Sequence, residues 1–327
     1  MAMEINEIVG LVADRMAEVE EEFDKNLESE ISLIPIIGRH ILSSGGKRMR
    51  PLFLLISAKL SGYDGPDAVP LAAIMEFIHT ATLLHDDVVD NAQMRRGQEA
   101  ANVIWGNAAA VLVGDFLFSK SFKLLTKHGS MDILRAVSSA TTAIAEGEVL
   151  QLVKTCDLDI TEDEYLRVVI NKTAMLLSAP CEVGGLLGNL KKEQVDALRQ
   201  FGMDIGVAFQ IVDDCLDYIA EEAAFGKKIG TDLTEGKITI PLIHVLSCCS
   251  PEERKKIESI VNREEIIEGD LSFTLSLIKK YDAINVSKVK ARDLVERAKK
   301  RLRDNFPHSV YRDALEGLAD YTVIRHI

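Results

Sequence analysis

The strongest constraint on this chain is the spacing of its apolar residues, which recur at helical intervals along almost its whole length. Residues 4–24 carry a stripe at Ile5, Ile8, Val9, Val12, Met16 and Val19, one face of a helix. Similar stripes predict helices over about 30–42, 51–61, 67–91, 100–127, 130–155, 161–178, 191–220, 237–248, 250–262, 285–304 and 309–325. Breaks containing Gly, Pro or Asp separate them, at 44–51, 61–67, 127–130, 158–164 and 225–237. "TEDE", from Thr161, reads as a capping box with Glu164 three residues on. Strand-type alternation of useful length is absent from the sequence, as is any Asn-Gly or Asp-Gly turn between such runs. Aromatics make up only 6% while Ala, Leu, Ile, Glu and Lys are plentiful, a bias toward helix. No Pro/Ser linker or low-complexity tract interrupts the pattern, so the expectation is one all-α domain over residues 1–327.

A net charge of −13 argues against nucleic acid as the main partner. It leaves small anionic substrates open, because local clusters can oppose the global sign. Five scattered cysteines (Cys156, Cys181, Cys215, Cys248 and Cys249) show no C-x-x-C spacing, which reads as a reduced, cytoplasmic chain. The acidic, amphipathic start "MAMEINEIVGLVADRMAEVEEEF" resembles neither a signal peptide nor a transit peptide. No window approaches 18 uncharged apolar residues, so no membrane-spanning helix is predicted.

Two acid clusters stand out, each at the end of a long apolar run. In "LLHDDVVDNAQMRRG" (83–97), Asp86 and Asp90 lie one helical turn apart on one face, with Asp87 beside them and His79 about two turns earlier. In "FQIVDDCLDY" (209–218), Asp213, Asp214 and Asp217 repeat the D-D-x-x-D spacing, and Gln210 precedes them by about one turn. A single copy is readily a solvated helix end. Two copies point instead to a hard divalent cation, since Mg²⁺ commonly bridges one or two carboxylates to phosphate oxygens.

Basic groups complement the acids. "GGKRMRP" (45–51) sets Lys47, Arg48 and Arg50 behind two glycines that let backbone approach an anion, with Pro51 placed to open a helix. Arg95 and Arg96 close the first acid motif, and a guanidinium fork suits bidentate phosphate binding, although pairing with Asp90 or nearby acids is the simpler role. "NKTA" (171–174) puts Lys172 and Thr173 inside an apolar helix, and Lys227, Lys228 and Lys237 flank Asp232 just after the second cluster. The coherent reading is two diphosphate sites, one bridged by metal and one purely cationic.

Together "GGKRMRP", "IHTATLLHDDVVDNAQMRRG", "LVGDFLFSKSF", "AEGEVLQL", "NKTA", "FQIVDDCLDY" and "GKKIGTDLTEGKITIPLI" resemble the trans-polyprenyl diphosphate synthases over about residues 5–325, and most closely the bacterial long-chain enzymes of octaprenyl type. The resemblance implies a single-domain helical bundle of isoprenoid-synthase kind around a central cavity. It implies transfer of an allylic prenyl group to isopentenyl diphosphate, assisted by about three Mg²⁺ ions. Asp86, Asp87 and Asp90 would bind Mg²⁺ on the allylic diphosphate, and Asp213, Asp214 and Asp217 a third ion. Arg95, Lys172, Thr173, Gln210, Lys237 and Lys227 (preferred to Lys228 because it follows Gly226 directly) would hold the allylic group. Lys47, Arg50, His79 and Arg96 would bind isopentenyl diphosphate, with Lys172, Thr173 and Gln210 at the reacting centre. A homodimer, a quinone side chain as the product's use, and room for peripheral membrane contact in product release also follow from the family.

Product length has a physical handle. The tail should grow down beneath Asp86, where Ala81 lies one and a half turns lower, roughly 7–8 Å, next to Thr82. Short-chain members of the family close the pocket near this position with an aromatic, so small residues imply a long product, about eight isoprene units. The floor is expected among Phe118, Phe122, Leu125 and Met131 on a 115–131 helix. The rivals are a class I terpene cyclase, a shorter-chain synthase, a His85–Asp86 metallophosphohydrolase and a non-catalytic partner subunit. The cyclase and the phosphohydrolase leave the second acid motif and the basic groups unexplained, and a partner subunit should have lost one acid motif. The shorter-chain synthase is set apart only by the small residues at Ala81 and Thr82.

Overall fold

The computed structural model describes residues 3–46, 48–219, 230–263 and 267–324; Lys47, Lys227 and Lys228 lie outside the described residues. Helix Ala68–Val89 shows why the chain folds as it does. From Ala68 to Ile78 it is buried on every side, as an all-round apolar helix must be. It packs on helices Asn107–His128, Met49–Leu60 and Ala13–Leu27. It is the one helix among the described residues long and apolar enough to cross a membrane, yet its most apolar 18-residue window is 83% buried inside the protein. Its polar end stops at Asp90, after which Asn91 turns left-handed at φ 50°.

Further helices follow along the chain: Ile5–Gly10, Leu33–Ser43, Ala101–Trp105, Met131–Val153, Glu162–Val169, Met175–Leu187, Lys192–Ile219, Thr231–Thr234, Ile240–Cys248, Pro251–Val261, Glu268–Lys280, Ala283–Asn305 and Val310–Ile324. Two compact units are built from interleaved segments. The first comprises Met1–Thr141, Leu176–Gly202 and Arg301–Leu318, and the second Thr142–Met175, Met203–Lys300 and Ala319–Ile327.

The all-α expectation holds, with local corrections. The 4–24 stripe breaks at Leu11–Val12, and the 100–127 stripe breaks at Gly106, whose φ of 84° is open to glycine. The 161–178 stripe becomes helix Glu162–Val169, a π-helical turn Ile170–Ala174, and helix Met175–Leu187. The Thr161 capping box forms as expected, its hydroxyl accepting from Glu164 N at 3.2 Å and Glu164 Oε2 from Thr161 N at 3.0 Å. Helix Glu268–Lys280 was not predicted: Gly269, Ser272, Thr274 and Ser276 dilute its apolar signal, though Asp270, Thr274, Leu277 and Ile278 form one buried stripe. A two-residue hairpin pairs Met94 with Glu99 and Arg95 with Gln98; Arg96 and Gly97, both at positive φ, make its turn. Pro51 is the third residue of helix Met49–Leu60 rather than its first, still within the turn whose N–H groups have no helical partner. Met131 opens the helix after Asn107–His128 and is 63% exposed, so it does not join Phe118, Phe122 and Leu125 on one helix.

Candidate active site

In the first unit, helix Ala68–Val89 turns the three acids of its motif in two directions. Asp86 and Asp90 are half-buried, and the Asp90 N–H still bonds the Asp86 carbonyl at 2.8 Å, so helical register persists through the motif. Asp87 points inward and is fully buried. Its Oδ1 accepts from both Nε (2.8 Å) and Nη2 of Arg95, which the short hairpin carries back over the helix end. Its Oδ2 has no hydrogen-bond partner. His85 is absorbed by packing: its Nε2 lies 3.2 Å from the Val111 carbonyl, and a Cβ on Gly114 would stand 2.3 Å from that atom.

The basic loop meets the same helix. Arg48, left-handed at φ 48°, caps helix Met49–Leu60 and spends its guanidinium on Glu20, Glu76 and the Leu42 carbonyl. Arg96 donates to the Gly45 carbonyl, and a Cβ on Gly46 would come within 2.7 Å of Arg96 Nη1. Gly46, at φ 150°, suits glycine by its backbone and leaves space for the hairpin arginine at the loop. Arg50 is half-buried with its Nε buried and unpartnered, and desolvation, opposed by Glu76 and reinforced by Arg96, lowers it to about 10. Burial, with Arg50, Arg96, Arg95 and Arg48 around it, holds His79 well below the usual histidine range, so it is neutral at pH 7. Arg50, His79 and Arg96 are therefore brought together, as expected for an anion site. Two guanidinium groups gathered beside a neutral imidazole, one with a buried Nε that has no partner, suit a diphosphate.

In the second unit the "NKTA" residues sit on the π-helical turn, a distortion frequent at functional sites. Two glycines admit it. A Cβ on Gly147 would lie 2.6 Å from Lys172 N, and one on Gly206 would lie 2.4 Å from Ala174 Cα. Lys172 Nζ donates to Glu148 Oε2 at 2.8 Å. The Thr173 hydroxyl donates to Gln210 Oε1 at 3.0 Å, and Gln210 Nε2 donates to Asp214 Oδ1 at 2.7 Å. Asp214 is buried, and its Oδ2 accepts from the Tyr165 hydroxyl at 2.6 Å. Burial and the neighbouring Asp232 push Asp214 well above the usual carboxylate range. Asp213 and Asp217 remain half-buried, and Asp217 Oδ2 accepts from Asp232 N at 3.2 Å. A cleft of about 140 Å³ opens here, its polar wall made by Lys154, Lys172, Lys237, Gln210, Asp214 and Asp232. Lys237 donates to Glu235 at 2.6 Å.

Sequence reasoning missed Tyr165, Glu148, Glu76 and Lys154. Glu148 lay within a quoted motif without a role, and Tyr165 gave no signal because its partner Asp214 is 49 residues away. Among the described residues no three His, Cys, Asp or Glu side chains converge as a ready-made metal cage. A hard cation would therefore have to share the aspartates with ligands of its own, which is how Mg²⁺ joins carboxylates to phosphates.

An all-α chain whose buried helices end in two such motifs, one beside an arginine cluster, has the build of a prenyltransferase. It belongs to the polyprenyl synthetase family, whose profile matches residues 32–278. It is similar to the octaprenyl diphosphate synthase of Escherichia coli (strain K12), 40% identical over 326 residues and covering 99% of each chain. Among solved structures it resembles a decaprenyl diphosphate synthase from Rhodobacter capsulatus with a TM-score of 0.94, at 42% identity over 98% of this chain and 99% of that one. It also resembles a polyprenyl synthase from Caulobacter crescentus CB15 complexed with calcium and isoprenyl diphosphate, TM-score 0.94, 40% identical over 99% and 98% of the two chains. The expectations of family, all-α class and prenyl transfer are thus borne out.

Proposed function

We propose that this chain extends an allylic diphosphate with isopentenyl diphosphate to a long trans-polyprenyl diphosphate of about eight isoprene units, the length named for its Escherichia coli relative. The observation that carries this reading is the cluster of Arg50 and Arg96 around neutral His79, on the same helix that ends in Asp86, Asp87 and Asp90. Isopentenyl diphosphate binds that cationic site, with Lys47 completing it. Lys172, Lys237, Lys227 and Arg95 hold the allylic diphosphate, and Arg95 does so from its seat on Asp87.

The residues fit Mg²⁺. Asp86, Asp90, Asp213 and Asp217 offer only hard oxygens, and Asp87 keeps a buried oxygen without a partner. About three ions bound there would neutralise the departing diphosphate. Thr173 and Gln210 turn oxygen lone pairs toward the developing allylic cation without forming a lasting bond to it. The double bond of isopentenyl diphosphate attacks that carbon, and the proton lost from the new allylic unit passes to the released pyrophosphate. Apolar helix walls exclude the water that would trap the cation. Ala81, fully buried, and Thr82, whose hydroxyl donates to the His79 carbonyl at 2.8 Å, set the depth available to the tail.

The enzyme works as a homodimer in the cytoplasm, touches the membrane peripherally when product leaves, and supplies quinone side chains. The central test is incubation with isopentenyl diphosphate, farnesyl diphosphate and Mg²⁺, with product lengths read by chromatography. Products near C40 are expected. Absence of elongation sinks the reading, whereas C15 or C20 products sink only the chain length.

A further inference from the structure

The second acid motif contains one carboxylate whose environment does not suit a metal ligand. Both Asp214 oxygens are already taken, Oδ2 by the Tyr165 hydroxyl at 2.6 Å and Oδ1 by the Gln210 amide at 2.7 Å, and the residue is only 3% exposed. The Tyr165 ring is buried too, at 4%. Capping at Thr161 and Glu164 fixes the start of the helix that carries this tyrosine. The chain of bonds continues outward, because the Gln210 oxygen accepts from the Thr173 hydroxyl at 3.0 Å. A side-chain amide can flip, exchanging donor for acceptor, and only its partners decide which end faces the reacting carbon. Asp214 Oδ1 accepts from Gln210 Nε2, and this bond selects the orientation with the Gln210 NH₂ inward and its oxygen toward Thr173. Tyr165 in turn holds the Asp214 carboxyl in the rotamer that reaches Gln210.

We infer that Asp214 and Tyr165 are positioning residues, an inner buttress that fixes the Gln210 amide and the Thr173 hydroxyl for the allylic centre, and that Asp214 does not ligate metal. The inference rests on the proposed prenyl transfer. It separates Asp213 and Asp217, left to the cation, from Asp214, which serves geometry.

The test uses the full-length enzyme with isopentenyl diphosphate, farnesyl diphosphate and a Mg²⁺ titration. Tyr165→Phe removes one hydroxyl from a buried site; kcat is expected to fall about tenfold, the size of one lost hydrogen bond at the transition state. KM for isopentenyl diphosphate and the Mg²⁺ concentration giving half-maximal rate stay at wild-type values, with the melting midpoint within a few degrees. Asp214→Asn is expected to lower kcat further, again without moving the Mg²⁺ midpoint. The double variant should lose no more than Asp214→Asn alone, because the two act through one path. A Mg²⁺ midpoint raised severalfold in Asp214→Asn makes Asp214 a metal ligand and overturns the inference; so does wild-type kcat in Tyr165→Phe. If Tyr165→Phe does not fold, Asp214→Asn decides, and failure of both to fold assigns the network to stability alone. Inactive wild-type enzyme would bring down the prenyl-transfer reading itself, an outcome distinct from active wild type with unaltered variants.

Discussion

The two acid motifs share their spacing and differ in what holds the middle residue. Asp87 is buried against a guanidinium, Arg95, carried by a hairpin only eight residues on. Asp214 is buried against two neutral donors, Tyr165 and Gln210, from elements 49 and four residues away. The first carboxylate keeps an unpartnered oxygen, and the second keeps none. A repeated sequence pattern thus repeats the outward pair at i and i+4, and leaves the inward acid free to take a different task in each helix. In the first it anchors Arg95, which the proposed function turns to the allylic diphosphate; in the second it holds the Gln210 amide, and through it the Thr173 hydroxyl, which that reading places beside the reacting carbon.

The largest expected effect separates the outward acids of the two motifs. Asp86→Ala removes a ligand from the motif assigned most of the cations, and kcat is expected to fall at least about a thousandfold, the several kcal/mol that a metal contributes to developing charge. Asp213→Ala should cost less, since the proposed function assigns a single ion to its motif. Steady-state rates at saturating Mg²⁺ check the order, and a greater loss at Asp213 would reverse the ranking of the two motifs.

Stability comes next and probes the inward acids. Arg95→Met strands a fully buried carboxylate, so urea unfolding should register a loss of about 3 kcal/mol. Tyr165→Phe removes one of two hydrogen bonds to Asp214 and should cost about 1 kcal/mol. Equal losses would mean that charge compensation at Asp87 counts for no more than a neutral hydrogen bond.

A smaller effect is set by pH. His79 is held below its ordinary value of 6.5 by burial first and then by Arg50, Arg96, Arg95 and Arg48. Below that value the unfolded chain takes up a proton that folded His79 refuses. Its contribution to stability is therefore fully present above about pH 6.5 and is lost as pH falls, by about 1.4 kcal/mol per pH unit. His79→Gln should flatten that part of the acid limb in denaturant titrations between pH 7 and 5; an unchanged slope would place the proton uptake elsewhere.

Much of this was legible in the sequence because helices advertise themselves locally. The apolar stripe, the Thr161 capping box and the i, i+4 acid pairs all depend on neighbours within two turns. Which acid turns inward depends on distant partners, so nothing in "VDDCLD" distinguishes Asp214 from Asp213. The π-helical turn at Lys172 is equally silent in its own residues; its trace lies in Gly147 and Gly206, small enough to let two other helices approach. The Arg96–Gly97 turn escaped because an arginine at φ 51° replaces the usual Asn or Asp, a strained choice that brings its guanidinium to Gly45.

One symmetry between the motifs remains to be broken. Five residues before the first acid stands an alanine in both helices, Ala81 before Asp86 and Ala208 before Asp213, and both are fully buried. If the prenyl tail descends beneath Asp86 alone, the two alanines are alike in packing and unlike in function. Ala81→Phe should then shorten the product toward C15–C20 while the rate of isopentenyl incorporation changes by no more than a few fold. Ala208→Phe should bring a comparable overpacking cost, about 1–3 kcal/mol, with product length retained. Chromatography of the chains from both variants decides. Shortening in both would run the tail along both helices, and shortening in neither would remove Ala81 from the control of chain length.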